Sequence, residues 1–251
     1  MKIKGTNHQR LLTFSNDLLP SIVVFDEGNL SLDGSAIVVN LGNKTALIDE
    51  FEKDSILPMT STKLRNVDLF GGGLLLFFDT DKLVSAKELC EKSQWSKFFK
   101  RTERNKDEGN CDINLWRSPQ DFTAEINVNF LPYYLSKKSK LDKIEHTSRF
   151  IVKTNLWFAS AGTHCQIHRE HPFIEIHTQI FGLGHMQKFR DKDFNTLYED
   201  IGMYPGFTTT PPFCSALSFT EFEYPWHQYY AETDCIWLAV EYHPIIGGQY
   251  D

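Results

Sequence analysis

Along this chain, hydrophobic and polar positions alternate in short runs far more often than they recur with a helical period. Ser21 to Phe25, Ser35 to Leu41 and Thr45 to Phe51 read as strands, with Gly28-Asn29, Asp33-Gly34 and Gly42-Asn43 as turns between them. Gly71-Gly72-Gly73 leads into the apolar run Leu74 to Phe78, a buried strand; no Gly-Lys-Ser/Thr follows, so the glycines predict a tight turn and not a phosphate loop. One stretch departs from the β pattern. From Asp81 to about Lys100, residues Leu83, Val84, Leu89, Trp95, Phe98 and Phe99 are spaced as on a helix, with Asp81 as its N-cap. The charged segment Arg101 to Asn110 reads as a surface loop and the best candidate for a linker. Strand character returns at Ile113 to Trp116, at Ala124 to Tyr134, where Pro132 marks an edge or a bend, and at Phe150 to Ala159. The basic run Ser136 to Lys143 reads as a solvated loop.

The most regular alternation runs from Phe173 to Phe181. Phe173, Glu175, His177, Gln179 and Phe181 point one way, and Ile174, Ile176, Thr178 and Ile180 the other, as on a β-strand with one aliphatic and one chemically loaded face. Four of the nine histidines fall between His164 and His177. Neutral imidazole and carboxylate are preferred ligands of Fe, Mn, Ni, Cu and Zn, and His171 precedes Glu175 by an even count, so the two can share a face. A zinc-binding helix using His164 and His168 is disfavoured, because Gly162 and Pro172 bracket too short a segment and proline forbids its continuation.

Gly162, five residues, His168, two residues, His171, three residues, Glu175, six residues, Gly182 resembles the first signature of the cupin superfamily, which has one residue between its histidines. A bulge at Arg169-Glu170 would let both histidines reach the same side. Pro205-Gly206-Phe207-Thr208-Thr209 resembles part of the second signature, but Thr209 stands where a histidine is expected. Tyr224-Pro225-Trp226-His227, ahead of the strand Cys235 to Tyr242, offers the missing imidazole. The resemblance implies a mainly β fold: a cupin-type double-stranded β-helix, or jelly roll, over residues 113–251, its barrel ending near 244. Residues 1–112 are expected to be a β-rich extension or degenerate second barrel with one helix. It implies one divalent ion, Fe(II) first with Mn, Ni or Zn as alternatives, held by His168, His171, Glu175 and His227, with His177 in reserve. Glu175 and Gln179 are the expected catalytic residues.

Composition adds limits. A net charge of −7 argues against nucleic acid or an anionic membrane as the main partner, and 41% hydrophobic content furnishes an ordinary core. Five cysteines without CxxC pairing fit a reducing compartment, and Met1 to Leu12 lacks an apolar signal core, so a cytoplasmic location is expected. The expected partner is a small polar metabolite such as an amino-acid derivative, with a homodimer allowed. Its chemistry would be that of a non-haem oxygenase. A metal-dependent isomerase or lyase without O₂, or a ligand-binding cupin without turnover, remain as alternatives. Arg169, Lys188 and Arg190 are candidate anchors for a substrate carboxylate, with a surface ion pair as the favoured reading of any one of them. Trp226, Tyr229 and Gln179 are candidates to flank the metal or stack on substrate, with core packing as the even alternative. Cys165 and Cys235 read as small hydrophobic residues, and His243 as an exposed histidine.

Overall fold

A computed structural model describes residues 1–6, 8–26, 28–49, 51–98, 114–130, 133, 147–209 and 213–245. The expected linker 101–110, the boundary at 112/113, Pro132 and the basic run 136–143 lie outside the described residues. The N-terminal part is an antiparallel eight-stranded sheet. Its strands are β1 (Lys2–Lys4), β2 (Gln9–Leu11), β3 (Ser21–Asp26), β4 (Asn29–Asn40), β5 (Ala46–Ile48), β6 (Phe51–Ile56), β7 (Thr60–Gly71) and β8 (Gly73–Phe78). They run in the order β2-β3-β8-β4-β7-β5-β6, with β1 on β4. The apolar runs of β4 and β8 are buried on both faces: Ile37, Val39, Leu76 and Phe78 join one core cluster, while Ala36, Val38, Leu75 and Phe77 join another. Gly71, Gly72 and Gly73 turn the chain through successive left-handed conformations (φ 80°, 89° and 76°), as the sequence led one to expect.

The expected helix is much shorter, α1 (Ala86–Lys92), and it is capped not by Asp81 but by Ser85, whose hydroxyl accepts from the Glu88 amide. Thr80 to Leu83 closes instead as a turn, with the Leu83 amide donating to the Thr80 carbonyl. Gln94 then enters the left-handed region (φ 52°), and the chain leaves as strand β9 (Ser96–Lys97).

The remainder is a two-sheet β barrel. Its strands are β10 (Leu115–Arg117), β11 (Asp121–Asn129), β12 (Thr147–Ala159), β13 (His164–His168), β14 (Ile174–Phe181), β15 (Gly184–Phe189), β16 (Leu197–Met203), β17 (Ser215–Ala216), β18 (Phe222–Glu223), β19 (Trp226–Ala231) and β20 (Cys235–Pro244). One sheet runs β14-β20-β12-β10-β9 with β11 on β12; the other runs β13-β19-β15-β16. Residues 206–209 extend the first sheet beyond β14: the Gly206 amide donates to the Gln179 carbonyl, the Gln179 amide to Phe207 and the Thr209 amide to His177, each at 2.9 Å. Successive strands β12, β13, β14, β15, β16, 206–209, β19 and β20 therefore enclose an interior between the orders β12-β20-β14-(206–209) and β13-β19-β15-β16. That is the strand order of a jelly roll, so the fold is the mainly β, jelly-roll barrel that the motif implied. The aliphatic face of β14 turns away from the interior. Ile174 and Ile176, with Leu238 and Val240 of β20, belong to the same buried cluster as Val23, Ile37 and Phe78 of the N-terminal sheet. No helix among the described residues is long and apolar enough to cross a membrane.

Candidate metal centre

His168 ends β13, directly opposite His227 on β19. The bulge that brings it there lies between Cys165 and His168, not at Arg169-Glu170 as the spacing suggested. Residues 169–173 link the two sheets instead, and they deliver His171 to the same spot. One donor nitrogen from each of His168, His171 and His227 lies within 4.8 Å of the others. Nε2 of His171 and Nε2 of His227 are 3.3 Å apart. Two nitrogens bound at roughly 2.1 Å to one ion, at tetrahedral to right-angle geometry, stand about 3.0–3.4 Å apart, so this pair already has the spacing of neighbouring ligands.

The protons are placed accordingly. Nδ1 of His168 faces the Gln166 carbonyl at 2.8 Å, and Nδ1 of His227 faces the Pro225 carbonyl at 2.9 Å. A carbonyl can only accept, so each Nδ1 carries the hydrogen and each Nε2 keeps a free lone pair. Burial holds all three imidazoles below their ordinary basicity, His171 down to about 3 with help from His168, and His227 well below the usual value. Neutral imidazoles are what a divalent ion requires. The donor set therefore fits a divalent metal.

Glu175 and His177 point into the same interior from β14, as the alternation required. An Oε of Glu175 lies 3.6 Å from Nδ1 of His171, the nitrogen on the side away from His227, and the other Oε is 3.8 Å from Nε2 of His177. Glu175 thus backs His171, and its carboxylate is not among the three clustered donors. Burial, and then the negative charge of Glu241, push its carboxyl up to about 8 against the opposing pull of Arg117. The hydroxyl of Tyr224 fixes the start of β14 by accepting from the Glu175 amide at 2.7 Å and donating to the Phe173 carbonyl at 2.9 Å. His177 packs on Tyr229 (ring centroids 4.1 Å apart), is lowered to about 3 by burial and by His171 and His168, and stands beside the cluster without joining it. Thr209 does not approach as a ligand: its amide and hydroxyl bond the backbone of His177. Gln179, one step further along the same face, lies outside the cavity lining, and its Nε2 donates to the Phe181 carbonyl at 2.6 Å.

The cavity beneath the histidines has a volume of about 600 Å³. The candidate anchors do not line it: Lys188 pairs with Glu199, the favoured surface reading, while the Arg169 guanidinium covers Trp226 and Arg190 covers Tyr198. Its charged wall comes instead from Arg117, Lys153 and Glu241, with Gln120 and His243 beside them. Sequence reading missed all three charged residues. Lys153 and Glu241 had a signal in strand parity; Arg117 had none. His243, expected to be exposed, is half-buried and its Nε2 meets Glu241 at 2.8 Å. Tyr229 and Cys165 also line the cavity, whereas Trp226 does not.

No family model matches the sequence, and no curated protein does. Similar solved structures include a cupin 2 conserved barrel domain protein from Leptotrichia buccalis (10% identity, covering 96% of this chain and 89% of that one, TM-score 0.28). A protein of unknown function from Pseudomonas syringae pv. tomato shares 8% identity over 92% of this chain and 86% of that one, with a TM-score of 0.31. Ectoine synthase from P. lautus shares 18% identity over 47% of this chain and 78% of that one, with a TM-score of 0.26.

Proposed function

We propose that this protein is a metal-dependent enzyme acting on a small polar metabolite, and that it is a non-haem Fe(II) oxygenase. The observation that carries this reading is the convergence of three neutral imidazoles, two of them oriented by backbone carbonyls, at the head of a cavity of about 600 Å³. Three protein nitrogens leave coordination positions for both a substrate and O₂, and a bound Fe(II) would supply the electrons that O₂ chemistry needs. His168, His171 and His227 would hold the ion, and Glu175 would orient His171 through its Nδ1. Tyr229, Trp157 and Trp237 would exclude water from the cavity.

A second reading rests on Glu175 itself. A buried carboxyl beside the cluster, 3.6 Å from His171 Nδ1, is placed to hold or move a proton, which suits an isomerase or lyase in which the metal acts only as a Lewis acid. One experiment separates the two. Fe(II)-reconstituted protein is screened with metabolites in a sealed oxygen-electrode cell, with product analysis. Substrate-dependent O₂ uptake, lost in Glu175→Ala, is the expected result. Product without O₂ uptake moves the reading to isomerase or lyase chemistry, and saturable binding without product moves it to a ligand-binding protein.

A further inference from the structure

We infer that the cavity selects an organic anion, whose carboxylate is held by Arg117 and Lys153 and whose apolar body lies against Trp157 and Trp237. The inference depends on the metal-enzyme reading for which end reacts, and on the cavity alone for the charge. Lys153, Glu241 and Glu175 sit in register on β12, β20 and β14, and all three line the cavity. Lys153 forms no ion pair among the described residues, because the neighbouring carboxylate is engaged elsewhere. Glu241 accepts from Gln120 at 3.1 Å, meets His243 Nε2 at 2.8 Å, and faces Arg117 only at 3.7 Å.

Arg117 is oriented but not used up. With its amide oxygen turned toward the donors, Asn155 accepts from Arg117 Nε at 3.2 Å and from Trp157 Nε1 at 2.6 Å. The guanidinium lies 5.3 Å from the Trp157 ring centroid, and its Nη2 faces Glu241 at 3.7 Å, so an incoming planar carboxylate would meet Nη1 and would compete with Glu241 for Nη2. Arg117 and Lys153 share the cavity with two carboxylates, but Glu241 faces Gln120, His243 and Arg117, and Glu175 stands toward His171 and His177, so Lys153 is the cation left without a partner among the described residues.

The test uses metal-free full-length protein, calorimetry, and three probes of one shape: 3-phenylpropanoate, its uncharged amide and 3-phenylpropylamine. The acid is expected to bind about tenfold or more tighter than the amide, with the amine weakest. Lys153→Gln and Arg117→Gln are each expected to weaken the acid by about five- to tenfold and to leave the amide unchanged. The acid-against-amide comparison needs no variant, so it stands even if Arg117→Gln fails to fold. Equal binding of acid and amide, no binding of the acid at millimolar concentration, preference for the amine, or unchanged acid affinity in the folded variants would each overturn the inference. Zn(II) titration of the same preparations is read separately. Anion binding without metal binding would keep this inference and end the metal reading; the converse would do the reverse.

Discussion

Asp121 shows how much one carboxylate can hold in place. Its two oxygens accept from both terminal nitrogens of Arg10 at 2.9 Å, from the amide and hydroxyl of Thr13 at 2.8 and 2.7 Å, and from the Thr123 hydroxyl at 3.0 Å. Burial alone would push this carboxyl up, but the Arg10 and Thr13 bonds outweigh it and hold it below its ordinary value. A folded value below the unfolded one stabilises the fold above the unfolded pKa of about 3.9, and that stability drains away as pH falls through the folded value. Asp121→Asn should therefore cost about 2 kcal/mol at neutral pH, discounted because Arg10 is 40% exposed, and the gap from wild type should close in acid-denaturation curves as pH falls below the ordinary carboxylate range. At the candidate metal centre, His227→Ala should lower metal content in elemental analysis, whereas His177→Ala should retain it. Glu175→Gln should weaken metal affinity by about 10–100-fold if Glu175 acts by orienting His171; unchanged affinity would remove that role. The spacing from His168 to Glu175 made the histidine cluster legible, because ligands close in sequence leave a local pattern. The wall of Arg117 and Lys153 was legible only at Lys153, through strand parity. It is assembled by register between β10, β12 and β20, and each residue taken alone is an ordinary strand cation.

β14 is the element on which the barrel depends, and its alternation was read correctly because each face has one chemistry and every residue from Ile174 to Ile180 is buried. What escaped the sequence were strands with a polar face or irregular pairing. β7 carries Thr, Ser, Lys, Arg, Asn and Asp on partly exposed positions, and β13 is five residues long and broken by a bulge. The helix was overextended because apolar spacing across Trp95 and Phe98 mimicked a helical stripe that the left-handed Gln94 interrupts. The segment 206–209 matched the second motif in order but serves as a strand, not a ligand donor. Here it joins the two parts of the molecule. The Ser61 hydroxyl of β7 donates to the Gly206 carbonyl at 2.7 Å and meets the Thr208 hydroxyl at 2.6 Å, which meets that of Thr178 at 2.6 Å. Thr208→Val keeps the shape and strips partners from two hydroxyls, one of them on fully buried Thr178. The expected loss is about 1–3 kcal/mol in chemical denaturation. A change within error would mean that the hydroxyl chain contributes nothing to joining the sheets.

At the scale of the whole molecule, the barrel's outer apolar face and the N-terminal sheet share one core. Phe150, Val152 and Leu156 of β12, Ile174 and Ile176 of β14, and Leu238, Val240 and Tyr242 of β20 are each fully buried. They cluster with Leu19, Val23, Ile37, Val39, Leu76 and Phe78 from the first eighty residues. The division of the chain at 112/113 therefore separates two stretches of sequence whose apolar surfaces cover each other. β9, from the N-terminal side of that division, also pairs with β10. Each large aliphatic side chain uncovered costs roughly 1.5–3 kcal/mol, and a domain's whole stability is only about 5–15 kcal/mol. Exposing half of this face would cost about as much as a domain's whole stability. Full-length protein should accordingly unfold in one cooperative transition, with tryptophan fluorescence and far-ultraviolet circular dichroism coinciding. A fragment of residues 114–251 should aggregate or bind a hydrophobic dye, even though it keeps all three clustered histidines. A monodisperse, cooperatively folding fragment that binds metal like the full chain would show that the barrel stands alone and that the N-terminal sheet is an accessory to it.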